Sequence, residues 1–219
     1  MTDPLAEGIT WPQDDLSMAE RAQLMVQQTE GRLEFNWHIP ATAAAIELVL
    51  LGRIGKVPDR SFFNGVTPWK LVIASAEPTG NPVLDAALQV LTSRQKPWRT
   101  DKYLMKIGGV VATAVQTELT RRGMVSIDRD FTPPHGYLII EDERAFAAAR
   151  HPVARARSLP EIVTDPRLGG IVDAIRNSGE RYKGELGVQP RIRWEWYPAE
   201  HRDLIEALLA GEHLNTATQ

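Results

Sequence analysis

Apolar residues along this chain fall mostly at helical spacing. In residues 82–93, Leu84, Ala87, Leu88 and Leu91 lie three or four positions apart, as on one face of a helix. Pro97 interrupts that run. A longer one follows from about Thr100 to Arg122, placing Tyr103, Leu104, Ile107, Val110, Val111, Ala114, Val115 and Leu119 inside. Upstream, Ser17 and Glu20 have the spacing of a capping box and open a helix that ends near Thr29. Pro40 opens an Ala- then Leu-rich helix over 41–51, and Gly52 closes it. Downstream, the pattern predicts helices near 143–150, over 166–177 with Asp165 as cap, and over 199–210. A basic loop runs to Pro160, and Gly179 lies just past the end of the 166–177 helix.

Strand-like segments are few. Ile54–Val57 pairs in expectation with Trp69–Ala74, and Met124–Ile127 with Tyr137–Ile140, giving two β-hairpins; Arg32–Asn36 alternates and forms a short strand. Each hairpin follows a helix ending Glu-Leu-x-x-x-Gly, first at Glu47–Gly52 and again at Glu118–Gly123. Between these weakly duplicated units lies Glu77-Pro78-Thr79-Gly80-Asn81-Pro82, a turn leading into an N-cap and a proline at the first helical position. The predicted fold is mainly α, a helical bundle core wrapped by further helices, with two β-hairpins.

At 219 residues, with 43% hydrophobic and 24% charged side chains, one domain is expected. The reading assigns a flexible arm to 1–16, the domain to 17–210 with an atypical segment at 180–210, and a tail to 211–219. There is no cysteine, which excludes disulfides, thiolate chemistry and Cys-based zinc sites. No secretory signal or bilayer-spanning run is read, so a cytoplasmic protein is expected, at most peripheral on the inner face of a membrane.

The net charge of −3 conceals segregation. Residues 1–36 are acidic. Residues 94–122 carry Arg94, Lys96, Arg99, Lys102, Lys106, Arg121 and Arg122 against Asp101 and Glu118. Lys102 and Lys106 share a helix face beside Gly108-Gly109, and Arg99 stands at the helix start. This pattern suits an anionic headgroup, or simply a solvated basic face. The glycine pair fits a close helix crossing, a kink or room for a ligand. Arg121 and Arg122 are explained by the helix dipole.

Phe131, Pro133 and Pro134 at the second hairpin tip would contact a membrane or a second copy if exposed, giving a homo-oligomer, or pack on their own domain if not. Arg191, Arg193, Trp194, Trp196 and Tyr197 form a candidate pocket flap or a C-terminal cover. As a strand the flap would put both tryptophans on one face and both arginines on the other. The histidines show no metal-ligand spacing, and no nucleophile has an identifiable base, so no cofactor or metal is expected and the enzyme question leans to no. An acidic net charge and no basic wing tip make nucleic acid the least expected partner.

The ordered pieces Gln23–Leu33, Ile46–Ile54, Leu71–Ile73 running into Glu77–Leu88, Glu118–Val125 and Thr164–Arg167 resemble the Golgi phosphoprotein 3 family, in its bacterial branch, over roughly 17–179. The resemblance implies the helical bundle and, for eukaryotic members, binding of phosphatidylinositol 4-phosphate and of membrane-protein tails. The family's phosphate-binding arginines correspond here to Gly109 and Ala112, with a third near Ala41; Lys106 is the nearest cation, and Trp37 lies near the family's pocket tryptophan. The sequence therefore reads as a non-enzymatic peripheral-membrane or adaptor protein. It would bind an anionic lipid or small anionic ligand through Trp37, Arg99, Lys102, Lys106, Gly108 and Gly109, with the phosphoinositide-like site degraded. The alternative is an enzyme or small-molecule-binding protein of bacterial secondary metabolism using the equivalent cleft.

Overall fold

The computed structural model describes residues 9–12, 14–26, 28–29, 31–34, 36–59, 69–94, 96–128, 137–181 and 192–215. Its helices are α1 (Met18–Leu24), α2 (His38–Leu50), α3 (Pro82–Thr92), α4 (Thr100–Arg121), α5 (Glu143–Ser158), α6 (Pro166–Arg181) and α7 (Arg202–Asn215). The strands are β1 (Gln28–Thr29), β2 (Arg32–Glu34), β3 (Ile54–Pro58), β4 (Trp69–Ile73), β5 (Trp98–Arg99), β6 (Val125–Ile127) and β7 (Tyr137–Ile140).

Helix α2 is the axis of the bundle, with α1, α3, α4, α6 and α7 around it. It can be central because Ile39 through Val49 are all buried, and because Ala41, Ala43, Ala44 and Ala45 let neighbours approach closely. Its start is earlier than expected. Asn36 Oδ1 accepts from the amides of His38 (2.9 Å) and Ile39 (3.0 Å), so Pro40 falls inside the first turn, where its missing N–H is not needed.

The two Glu-Leu-x-x-x-Gly helix ends are the same structure twice. Gly52 (φ 66°) and Gly123 (φ 68°) are left-handed. Arg53 N donates to Leu48 O at 2.8 Å and Gly52 N to Val49 O at 2.9 Å. Met124 N donates to Leu119 O at 3.1 Å and Gly123 N to Thr120 O at 2.9 Å. Both are Schellman caps that turn a helix into its strand. The Pro78 turn is fixed as read: Asn81 Oδ1 accepts from Val83 N (2.9 Å) and Leu84 N (3.2 Å), and Asp85 holds Thr79 N at 2.6 Å.

Each hairpin is enlarged into a sheet. β5 adds antiparallel to β4, pairing Lys70 with Arg99 and Leu71 with Trp98. β2 adds to β7, and β1 to β2, giving the order β1-β2-β7-β6.

Further details differ from the sequence reading or go beyond it. Helix α5 continues past Pro152 to Ser158, because Val153 and Ala156 are fully buried and packing outweighs the lost hydrogen bond. Helix α6 runs through Gly179 to Arg181, and α7 spans Arg202–Asn215. Val110, expected inside, is 40% exposed. The Trp194–Trp196 segment is a 3₁₀ turn, not a strand: Trp196 N donates to Arg193 O (3.0 Å) and Tyr197 N to Trp194 O (3.2 Å). Consequently Trp196 and Tyr197 turn inward together, while Trp194 remains half-buried.

Of the expected arm, residues 9–12 and 14–16 are docked on the body. Ile9, Trp11 and Leu16 are buried, and Ile9 bridges Val163 in parallel. Asp15 O accepts from Arg122 Nη2 at 3.3 Å, at the far end of α4 from Arg99. The 22 residues of α4 separate those ends by roughly 33 Å, so the described part of the acidic segment meets the basic one at Arg122 and lies far from Arg99.

Candidate functional site

Three chain segments converge at the N-terminal end of α4. The end of β3 supplies Val57, Pro58 and Asp59, the start of β4 supplies Lys70, and the stretch from the end of α3 into α4 supplies Arg94, Lys96, Pro97, Arg99 and Lys102. They enclose an open cleft of about 750 Å³. Strand β5 assembles it, because pairing Lys70 with Arg99 draws the first hairpin against the start of α4.

Five cations meet there, and they are held differently. Lys70 Nζ is 2.7 Å from Asp59 Oδ1. Arg99 Nε donates to Asp101 Oδ1 at 3.2 Å, and Asp101 is itself buried. Arg94 lies 5.0 Å from the centre of the Trp98 ring, a cation–π contact that positions the guanidinium without neutralising it. No acidic side chain among the described residues pairs with Arg94, Lys96 or Lys102. The cleft therefore carries excess positive charge in a concave surface, where the field of several cations adds.

A stripe leads from this cleft along α4. Lys102, Met105, Lys106, Gly109 and Val110 are spaced on one helical face and all are exposed, Met105 by 47%. Met105 lies between the two lysines and Val110 one turn beyond Lys106, so the stripe is both cationic and apolar.

Of the residues singled out in the sequence, Arg99 and Lys102 line the cleft, and Lys106 and Gly109 lie on the stripe. Gly108 is buried under Trp37: a Cβ at position 108 would come within 2.2 Å of Trp37 Cε3. The glycine pair thus divides, one member receiving an indole from the start of α2 and the other facing open space.

Trp196 and Tyr197 do not reach this site; they close onto α6. Trp196 packs over Gly169, where a Cβ would meet Trp196 Cε3 at 2.6 Å, and its Nε1 donates to Pro160 O at 3.3 Å. The Tyr197 hydroxyl donates to Asp173 Oδ2 at 2.8 Å. Arg193 lies 5.6 Å from the Trp196 ring centre. Arg191, Phe131, Pro133 and Pro134 lie outside the described residues, although the strands flanking the second hairpin tip leave Ile127 and Tyr137 exposed.

Sequence reasoning missed Lys70, Met105 and Val110 as site residues, and counted Arg94 and Lys96 only as part of a charge run. Lys70 arrives from a separate strand, so linear spacing carries no sign of it.

The carboxyls with displaced pKa values lie elsewhere. Burial raises Glu47 to about 7 against the hydrogen bond from Met18 N (2.8 Å). Burial raises Asp173 to about 6. Neither lines the cleft. A second groove, about 480 Å³ beside the Pro78 turn, has Asp85 as its charged side chain, already engaged by Thr79. Among the described residues no helix is long and apolar enough to cross a membrane.

Comparison with curated proteins finds no match to this chain. The family model described as Golgi phosphoprotein 3 (GPP34) matches residues 19–181, which hold α1 through α6, both hairpins and the basic cleft, and the chain belongs to that family.

Proposed function

We propose that this protein is a peripheral binder of anionic lipid headgroups, engaging a membrane surface through the cleft of Lys70, Arg94, Lys96, Arg99 and Lys102. The observation that carries the reading is the convergence of Lys70 from β4 with Arg94, Lys96, Arg99 and Lys102 from the stretch leading into α4, with Arg94, Lys96 and Lys102 paired to no acid among the described residues. Each cation near an anionic bilayer contributes about 1 kcal/mol, so the group acts together where one would not suffice. Met105 and Val110, beside Lys102 and Lys106, add apolar contact at the interface. Membership of the Golgi phosphoprotein 3 family is consistent with a lipid-binding adaptor role. With Gly109 and Ala112 standing where the family resemblance puts arginines, the cations at the start of α4 support recognition there rather than at the helix middle.

Vesicle flotation tests this. Neutral vesicles, vesicles rich in phosphatidylserine and vesicles doped with phosphatidylinositol 4-phosphate are compared at low and moderate salt. Binding is expected to both anionic kinds, to weaken with salt, and to be absent from neutral vesicles. Salt-independent binding, or binding to none, contradicts the proposal.

A further inference from the structure

The docked residues 9–12 and 14–16 are held as a bound peptide is held. Ile9 N donates to Ile162 O at 2.8 Å, and Thr164 N to Ile9 O at 3.4 Å, so its backbone pairs with the chain leading into α6. Trp11 is buried, with the guanidinium of Arg21 at 4.9 Å and that of Arg167 at 4.6 Å from its ring centre. Both Asp14 carboxylate oxygens accept from Arg21 Nη2. Backbone pairing, an aromatic seat and an arginine for a carboxylate are the parts of an extended-peptide receptor.

The receptor side has its own supports. Arg21 Nη1 donates to Ala149 O of α5 at 2.7 Å, and Arg167 is held by Asp165 through Nε (3.1 Å) and Nη2 (2.9 Å). The Arg21 side chain is fully buried, whereas Asp14 is 43% exposed. Arg21 Nε has no partner, and its ion pair is with Asp14. Release of the segment uncovers the Arg21 guanidinium together with the Trp11 seat, leaving donors that suit the carboxylate of another acidic segment.

We propose that the groove formed by Arg21, Arg167 and the 162–164 backbone is a peptide-binding site, filled in cis by Ile9, Trp11 and Asp14, that accepts in trans a segment carrying tryptophan three residues ahead of aspartate. It lies at the opposite end of α4 from the basic cleft, so both sites can be filled at once.

The test uses a fluorescein-labelled peptide of the sequence of residues 9–16 and fluorescence anisotropy on the full chain. The Trp11→Ala/Asp14→Ala chain, whose own segment no longer competes, is expected to bind the peptide at least tenfold more tightly than the unmodified chain. Adding Arg167→Ala, or replacing the peptide's Trp or first Asp by Ala, is expected to reverse that gain. Equal binding by the two chains, or binding indifferent to those peptide changes, overturns the proposal. Hydrogen exchange on the unmodified chain decides the matter if the double variant does not fold. The Ile9 and Thr164 amides are expected to exchange at least a hundredfold faster than those of α2, through local release; exchange only with global unfolding overturns the proposal.

Discussion

The Trp37 indole occupies the space that a side chain at position 108 would need. The clash distance of 2.2 Å to Cε3 means that alanine at 108 requires the ring, and with it the start of α2, to move. Gly109, one residue on, meets nothing within 4 Å. Gly108→Ala is therefore expected to destabilise by about 1–3 kcal/mol through overpacking. Gly109→Ala is expected to stabilise by up to about 1 kcal/mol through helix propensity. Chemical denaturation of the two variants checks this, and equal effects would refute the division of the glycine pair.

Glu47 makes stability depend on pH. Its ordinary value is 4.5 and burial raises it to about 7, so between those values the folded chain holds a proton that the unfolded chain releases. The contribution is present in full below pH 4.5 and is lost as pH rises through about 7. Glu47→Gln keeps an acceptor for Met18 N and removes the ionisation. At pH 8 it is expected to gain on the order of 1–3 kcal/mol over the unmodified chain, with little difference at pH 5. Urea midpoints at the two pH values decide, and a pH-independent difference counts against it.

Tyr197 and Asp173 latch the C-terminal cover onto α6. Tyr197→Phe removes the hydroxyl that donates to a buried carboxyl at 2.8 Å, and is expected to cost about 1–2 kcal/mol. Asp173 titrates near 6, raised by burial, so the deficit is expected to be larger at pH 8, where the lost bond was to a carboxylate, than at pH 5. Thermal melts at both pH values report it; a deficit that is greater at pH 5 would contradict the assignment.

Asn81 caps α3 with two hydrogen bonds, and Asn81→Ala is expected to lose about 1 kcal/mol, measurable as a lowered denaturation midpoint with an unchanged slope. A neutral substitution would show that Pro82 and the Thr79–Asp85 contacts suffice to start the helix.

What the sequence revealed follows from how local each signal is. The capping box at Ser17, the Asn81 cap and both Schellman glycines act within five residues, and the structure keeps all of them. Helix α5 crosses Pro152 because burial of Val153 against its neighbours is not a local quantity. Strand β5 is two residues long, too short for any alternation, yet it brings Lys70 to Arg99 and so builds the cleft. The 180–198 segment reads as irregular, and the 3₁₀ hydrogen bonds that turn Trp196 and Tyr197 inward leave no periodicity in the sequence to find. Arg99 and Lys102 were legible from the charge run, whereas the space they line depends on three segments meeting.

The central claim is that the cleft, rather than net charge, meets the membrane. Its most direct test is flotation with phosphatidylserine-rich vesicles of two triple variants carrying the same charge change. Arg94→Glu/Lys96→Glu/Lys102→Glu removes the three cleft cations that pair with no acid among the described residues; Arg150→Glu/Arg155→Glu/Arg157→Glu alters α5 instead. The cleft variant is expected to lose at least about tenfold in vesicle partitioning and the α5 variant no more than about threefold. Equal losses from both would show that binding follows overall charge and would contradict the site assigned to the start of α4.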